Sequence, residues 1–191
     1  MNLTHSWCEN MESWTLWLTG LPGSGKSAIA KRLQSKLNSR GIHSQILSTG
    51  NLRKVMTPKP IYTEEEREIV YATVVYIASI LNQNRINVII DGTGNRSKYR
   101  ELAQKTLKKF ALVYVKCPLE ISIEREAKRV KENNSPTEIY KKAFNGRSTT
   151  VPGINVPYEE PIDAKVIVDS NILGASECAE RIINNLWDIF F

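Results

Sequence analysis

Short apolar runs alternate with longer amphipathic stretches along the chain from Ser13 onward. Each run is rich in β-branched or aromatic side chains and is bounded by glycine, proline or polar residues, which is typical of buried parallel strands. The predicted strands are residues 14–19, 43–47, 87–90, 111–116 and 165–168. Parallel neighbours must be joined by crossover connections, usually helices. The pattern therefore predicts an α/β fold of three layers, with a five-stranded parallel sheet flanked by helices.

The amphipathic stretches between and after these strands predict helices. The predicted helices are residues 26–39, 63–82, 97–110, 118–132, 136–145 and 176–190. Thr63 precedes three glutamates, an N-cap with acidic first-turn residues that satisfies free N–H groups and suits the helix dipole. Residues 54–62 and 146–161 are predicted to be long loops, and loops of that length in a compact domain often bind or cover substrates.

A single domain accounts for all of these elements. The chain has 191 residues, of which 41% are hydrophobic, and this is enough to fill a core between a sheet and its helices. Residues 1–12 are polar and patternless, and we interpret them as an N-terminal extension. The domain is therefore expected to span residues 13–191.

Composition narrows the classes of function. A net charge of +6 suits either a nucleic-acid surface or an enzyme that gathers polyanionic substrates. Most basic clusters fall within helical patterns and are interpreted as solvated helix faces, so no nucleic-acid partner is expected. Cys8, Cys117 and Cys178 show no disulfide or zinc spacing, which favours a reducing cytoplasm. The chain has no leader pattern and no apolar run of about 18 residues, so no membrane association is expected.

Residues 20–27 read Gly-Leu-Pro-Gly-Ser-Gly-Lys-Ser and match the phosphate-binding pattern GxxxxGK[ST] completely. The pattern follows a predicted strand and opens a predicted helix, which makes a chance glycine-rich turn a poor alternative. Loop N–H groups and the helix dipole attract phosphate, Lys26 is placed to bridge the β- and γ-phosphates, and the Ser27 hydroxyl suits Mg²⁺. ATP and Mg²⁺ are therefore the predicted ligands of Gly20, Gly23, Ser24, Gly25, Lys26, Ser27 and Ala28.

With this P-loop placed, the chain resembles the adenylylsulfate kinases, which use ATP to phosphorylate the 3′-hydroxyl of adenosine 5′-phosphosulfate. The resemblance runs from about residue 14 to residue 169. It rests on segments 17–27, 51–53, 113–120, 139–143 and 153–161. The last segment, Gly-Ile-Asn-Val-Pro-Tyr-Glu-Glu-Pro, is the most particular to that family. The resemblance implies a P-loop kinase of sulfate assimilation that forms a homodimer.

The resemblance also implies roles for individual residues. Arg125 matches a family arginine that reaches the nucleotide phosphates, and Arg67 matches an arginine on the second helix. Arginine suits phosphate and sulfate because its planar fork binds oxyanions bidentately. The acceptor-binding candidates are Asn51, Arg53, Arg67, Arg96, Arg100, Ile154 and Tyr158. Taken singly, an arginine is as often a helix-surface residue, and a loop tyrosine is often a packing anchor.

The departures from the family lie on its acceptor side. The family has Asp-Gly-Asp-Asn where this chain has Ser48, Thr49, Gly50 and Asn51, so both acidic side chains are missing. Asp91 ends a predicted central strand and is the expected replacement, as a metal ligand or as a base that accepts the acceptor proton. An aspartate that caps the following turn is the alternative. Residues 129–136 are interpreted as an insertion in the family's lid.

Three functions fit these observations. The leading interpretation is an ATP-dependent adenylylsulfate kinase with Lys26, Asp91 and Arg67 as its catalytic residues. A related kinase for a different nucleotide-like hydroxyl compound is the alternative, because the family's acidic pair is lost. A nucleotide-binding regulator without transfer activity is disfavoured, because Lys26, Ser27, Asp91 and Arg125 are all retained.

Overall fold

The computed structural model describes residues 12–131 and 138–191. Five parallel strands form one sheet in the order β2-β3-β1-β4-β5, which confirms the predicted sheet. The strands are β1 (Thr15–Thr19), β2 (Ser44–Ser48), β3 (Asn87–Asp91), β4 (Phe110–Lys116) and β5 (Val166–Asp169). Each lies within a residue or two of its predicted position.

Helices cover both faces of this sheet. They are α1 (Lys26–Asn38), α2 (Thr49–Met56), α3 (Glu64–Gln83), α4 (Ser97–Thr106), α5 (Leu119–Lys131), α6 (Ile139–Phe144) and α7 (Ala175–Phe190). The predicted N-cap is present, because the Thr63 side chain accepts a hydrogen bond from the N–H of Glu66. The long loop predicted at 146–161 contains no helix or strand of its own.

The prediction missed one helix and extended another too far. Helix α2 was not predicted, and it occupies residues that include the start of the loop expected at 54–62. The Ser48 side chain caps it by accepting from the N–H of Asn51, although Gly50 weakens the local helix signal. Helix α4 was predicted to reach residue 110 but ends at Thr106, because Phe110 pairs with Thr15 as the first residue of β4.

The central strand β1 sends alternate side chains into two separate cores. Leu16 and Leu18 pack with apolar residues of α1 and α7, whereas Trp17 packs with residues of α3 and α4. All five residues of β1 are buried. Burial on both faces is the expected environment of a central parallel strand, and it fixes the point at which the P-loop leaves the sheet.

Strands β1 and β3 are adjacent, although they are not consecutive along the chain. The chain leaves β1 towards one edge of the sheet and leaves β3 towards the other, so a crevice opens beyond their carboxyl ends. In the register, Asp91 lies beside Leu18 on one side and beside Ser48 on the other. The topology thus brings the P-loop, α2 and the end of β3 to one place.

Some sequence predictions fall outside the described residues. The expected N-terminal extension, residues 1–12, lies almost wholly there, and so does most of the expected lid insertion, residues 129–136. Among the residues that the structure does describe, no helix is long and apolar enough to cross a membrane.

Candidate active site

The P-loop joins β1 to α1 and has a left-handed backbone at two glycines. Gly23 has φ +83° and Gly25 has φ +92°. A Cβ atom at Gly23 would collide with the carbonyl of Ser122 on α5, so this position requires glycine. The N–H of Ser24 donates to the carbonyl of Leu21 at 3.1 Å and closes the turn. The curled loop presents the N-terminus of α1, where free N–H groups and the helix dipole favour an anion.

Lys26 lies across this loop, and a cavity of about 530 Å³, which we name the P-loop cavity, opens beside it. The Lys26 ammonium donates to the carbonyls of Gly20 at 3.0 Å and Leu21 at 2.8 Å. The P-loop cavity is lined by Pro22, Gly23, Gly25, Lys26, Ser27, Ala28, Lys31, Ser48, Thr49, Gly50, Asp91, Gly92, Thr93 and Arg125. Gly20 and Ser24, also predicted to bind nucleotide, do not line it, and Ser24 is fully buried.

Asp91 meets the P-loop at the carboxyl end of β3. Its carboxylate accepts a hydrogen bond from the Ser27 hydroxyl at 2.6 Å, and its backbone carbonyl accepts one from the Thr49 hydroxyl at 3.2 Å. Within residues 12–131 and 138–191, no group of three His, Cys, Asp or Glu residues could hold a metal ion. A hydroxyl and one carboxylate do fit Mg²⁺, which commonly binds through one or two protein oxygens plus water and substrate phosphate.

A second cavity, which we name the arginine cavity, adjoins the first and measures about 240 Å³. It is lined by Pro22, Thr49, Gly50, Arg53, Tyr62, Arg67, Tyr71, Thr93, Ile139, Lys142, Ser148, Thr150, Val151 and Pro152. Pro22, Thr49, Gly50 and Thr93 line both cavities. The two spaces therefore meet between the P-loop, the N-terminus of α2 and the segment that follows β3.

The two arginines of this cavity differ in how their charge is balanced. Arg53 forms a buried ion pair with Glu66, whose other carboxylate oxygen accepts from the N–H of Tyr62 at 3.0 Å. Arg67 is also buried, but it donates to neutral oxygens: the Tyr62 carbonyl at 3.1 Å, the Asn95 side chain at 3.3 Å and the carbonyl of residue 150 at 2.5 Å. Burial lowers the pKa of Arg67, and the neighbouring Arg53 charge lowers it further.

Tyr62 stands beside both guanidinium groups and was not predicted as a site residue. Its ring centre lies 4.8 Å from the Arg53 guanidinium carbon and 5.8 Å from that of Arg67. Its backbone is left-handed, with φ +58°, which is uncommon for a residue with a large side chain. Contacts from Glu66 and Arg67 to its backbone hold this conformation. The ring is thus fixed at the wall of the arginine cavity.

Helix α5 contributes to the wall of the P-loop cavity, and helix α6 contributes to the wall of the arginine cavity. Arg125 lines the P-loop cavity and donates to the carbonyl of Ser170 at 2.8 Å. The Tyr140 hydroxyl donates to the carbonyl of Pro22 at 2.6 Å and ties α6 to the P-loop. Burial raises the pKa of Tyr140, so this hydroxyl keeps its proton for that bond. Lys142, two residues further along α6, lines the arginine cavity.

Comparison with known proteins shows which family has this combination of fold and site. The sequence model of the family described as adenylylsulphate kinase matches residues 12–169. The chain belongs to the adenylylsulphate kinase family. That match confirms the resemblance drawn from the P-loop and the late loop, including its approximate limits.

Individual relatives agree with this assignment. A probable adenylyl-sulfate kinase of Pyrococcus abyssi is 35% identical over 173 residues, which cover 91% of this chain and 94% of the relative. One of Archaeoglobus fulgidus is 33% identical over 159 residues, which cover 83% and 97%. Among solved structures, the Mycobacterium tuberculosis APS kinase CysC in complex with AMPPNP and APS is 26% identical, with a TM-score of 0.78 and coverage of 93% and 99%.

Some family-derived candidates lie outside both cavities. Arg96 forms an ion pair of 2.9 Å with Glu159, and both side chains are about one-third exposed. Asn51 is exposed in the first turn of α2. Ile154 packs against the small cluster of Tyr140, Ala143 and Val151. Their role in acceptor binding stays a prediction.

Arg100 and Tyr158 lie behind the segment that follows β3, and neither lines the P-loop cavity or the arginine cavity. The buried Arg100 donates to the Gly94 carbonyl at 2.7 Å. The hydroxyls of Tyr158 and Thr19 are 2.9 Å apart, and that of Thr19 donates to the Thr93 carbonyl at 2.6 Å. Since the Thr19 proton is used in this way, Tyr158 is the donor to Thr19. These two family-matched residues therefore support the backbone of residues 92–94.

Proposed function

We propose that this chain transfers the γ-phosphoryl group of ATP to the 3′-hydroxyl of adenosine 5′-phosphosulfate. The observation that carries the proposal is the meeting of two cavities: one has a complete P-loop, and the other has a buried arginine without a carboxylate partner among the described residues. A nucleoside triphosphate fits the first and an anionic acceptor fits the second. Family membership agrees with both.

The P-loop cavity has the groups that would bind the phosphates of ATP. Loop N–H groups at the start of α1 would bind the β-phosphate, Lys26 would bridge the β- and γ-phosphates, and Arg125 would approach from α5. Mg²⁺, when bound, neutralises charge that develops on the phosphate oxygens. Ser27 and Asp91 are the residues that would hold it, since their oxygens are already in contact.

The acceptor side combines positive charge with aromatic surface. Arg67 and the exposed Lys142 would balance the phosphosulfate group, because neither forms an ion pair with a described acidic residue. The Tyr62 ring offers a flat face for a purine, and stacking of this kind tolerates the neighbouring arginines. The arginine cavity, which contains these groups, meets the P-loop cavity at Thr93.

Asp91 takes the place of the family's lost acidic pair in this account. One of its carboxylate oxygens accepts from Ser27, the predicted metal ligand, so we assign Asp91 mainly to the metal. The turn-capping alternative has less support, because the residues that hold the following turn are Trp17, Thr19 and Arg100.

A direct assay tests the proposal. Purified chain, ATP, Mg²⁺ and adenosine 5′-phosphosulfate should give ADP and the 3′-phosphorylated product in equal amounts. ATP turnover that requires a different hydroxyl compound would favour the alternative kinase, for which the neutral residues Ser48 and Gly50 are the supporting observation. Binding of ATP without any acceptor-dependent turnover would favour the regulator.

The oligomeric state and the cellular location of the chain are also proposed. We propose a homodimer, on the family resemblance, and light scattering of the purified chain would test it. We propose a cytoplasmic enzyme, because the two cysteines in the described part of the chain are free and buried. We also propose that it has no nucleic-acid or membrane partner, because most of its basic clusters fall within helical patterns. Fractionation of cells that express the chain would test the location.

A further inference from the structure

Thr93 occupies the point where the P-loop cavity and the arginine cavity meet. Of the four residues that line both, Pro22 and Gly50 have no polar side-chain atom, and the Thr49 hydroxyl is already donated to the Asp91 carbonyl. The Thr93 hydroxyl makes no hydrogen bond to any residue in the described part of the chain. It is therefore the polar side-chain group that this junction leaves available to a ligand.

The backbone on both sides of Thr93 is held from behind. Its carbonyl accepts from Thr19 at 2.6 Å, and Thr19 in turn accepts from Tyr158. The next N–H, that of Gly94, donates to the buried Tyr71 hydroxyl at 2.9 Å. Because the backbone is fixed on the sheet side, the position of the Thr93 side chain does not depend on a bound ligand to set it.

We propose that the Thr93 hydroxyl binds the reacting hydroxyl of the acceptor and aims its oxygen at the γ-phosphorus. The inference rests on the proposed function and adds a residue to it. A phosphoryl group that passes from one cavity to the other must cross their junction, where Thr93 lies two residues beyond Asp91. Thr93 accepts the hydrogen bond of the acceptor hydroxyl, and this leaves an oxygen lone pair free for attack.

The transfer step balances without any change in Thr93. The acceptor oxygen forms a bond to the γ-phosphorus, while the bond from that phosphorus to the bridging oxygen of ATP breaks and ADP leaves. As the new P–O bond forms, the acceptor proton leaves its hydrogen bond to Thr93 and passes to an oxygen of the transferred phosphoryl group. Thr93 keeps its own proton throughout, so its contribution is orientation and not acid or base catalysis.

This role predicts a defined energetic coupling between the protein and its acceptor. If the Thr93 hydroxyl and the acceptor 3′-hydroxyl bind each other, removal of either one loses the same hydrogen bond. The unaltered chain should bind adenosine 5′-phosphosulfate about 3- to 10-fold more tightly than its 3′-deoxy analogue, the usual range for one neutral hydrogen bond. The Thr93→Val variant should bind the two compounds equally.

The experiment measures both affinities by calorimetry, with Mg²⁺ and a non-hydrolysable ATP analogue present. Thr93→Val is compared with Thr93→Ser, which keeps the hydroxyl and should keep the discrimination. Thr73→Val is the matched control, because the Thr73 hydroxyl donates to the Ile69 carbonyl on α3 and lines neither cavity. Thermal unfolding of each variant checks that the fold is retained, and Thr93→Ala replaces Thr93→Val if valine does not fit.

The possible outcomes distinguish the inference about Thr93 from the proposed function on which it rests. Loss of discrimination in Thr93→Val, with discrimination retained in Thr93→Ser and Thr73→Val, supports the inference. Full discrimination in Thr93→Val overturns the inference and leaves the proposed function standing. An equal loss of affinity for both compounds also overturns the inference, because it would indicate a structural role for Thr93. Failure of the unaltered chain to bind or phosphorylate adenosine 5′-phosphosulfate overturns the proposed function and this inference with it.

Discussion

The hydroxyl of Ser27 donates a hydrogen bond of 2.6 Å to the carboxylate of Asp91, 64 residues further along the chain. Ser27 is the second residue of α1, and Asp91 ends β3, the strand that lies beside β1. The contact joins a P-loop hydroxyl to a carboxylate that lies outside the positions of the family's acidic pair. The site thus keeps one carboxylate beside the P-loop although Ser48 and Gly50 are neutral.

Replacement of Lys26 with alanine should nearly abolish transfer. Its ammonium lies at the P-loop, and loss of a group that stabilises transition-state charge typically costs about 10²- to 10³-fold in rate. Loss of its bonds to the Gly20 and Leu21 carbonyls should lower the free energy of unfolding by about 1–3 kcal/mol, so thermal unfolding checks that the variant is folded in the assay. Lys105→Ala, on the exposed face of α4, is the control and should keep normal turnover. Near-normal turnover in Lys26→Ala would contradict the assigned mechanism.

Replacement of Arg67 with lysine should weaken acceptor binding more than ATP binding. A lysine keeps the charge but cannot reproduce the three directions in which the guanidinium donates, so the acceptor KM should rise about 10-fold or more. Loss of these bonds should also lower the free energy of unfolding by about 1–3 kcal/mol. Arg32→Lys, on the exposed side of α1, serves as the control. An unchanged acceptor KM would remove Arg67 from the acceptor site.

The phenol of Tyr158 should make folding sensitive to alkaline pH. Burial raises its pKa from 10.0 to about 12, so the folded chain binds this proton more tightly than the unfolded chain does. The resulting stabilisation is complete below about pH 10 and is lost as the pH rises towards 12. Tyr158→Phe should therefore be less stable than the unaltered chain at pH 8, with a smaller difference at pH 11. Denaturant unfolding at both values measures this, and an equal difference would contradict the assignment.

The sheet and the P-loop could be predicted because their signals are local. Each strand is a short apolar run, such as residues 111–116, and the loop is a contiguous pattern whose glycines are required by the backbone. Asp91 was predicted correctly to lie beside the P-loop, since it ends an apolar run and the carboxyl ends of parallel strands share one edge.

The walls of the arginine cavity could not be predicted in the same way. Tyr62, Tyr71 and Thr93 line it only because α3 and the segment after β3 pack together, and no local pattern distinguishes them from ordinary loop or core residues. Helix α2 was missed because a glycine in its first turn hides a short helix that the Ser48 cap stabilises. The contacts of Arg100 with the Gly94 carbonyl and of Tyr158 with the Thr19 hydroxyl depend on tertiary structure and have no sequence signal.

The most direct test of the account is the turnover of Asp91→Asn with ATP, Mg²⁺ and adenosine 5′-phosphosulfate. Asparagine keeps the size of the side chain and can still accept from Ser27, but it removes the negative charge that would hold the metal. We expect a fall in turnover of about 10²- to 10⁴-fold, with a much smaller change in ATP affinity and a retained fold. Turnover equal to that of the unaltered chain would contradict it, because Asp91 would then be a turn residue and nothing more.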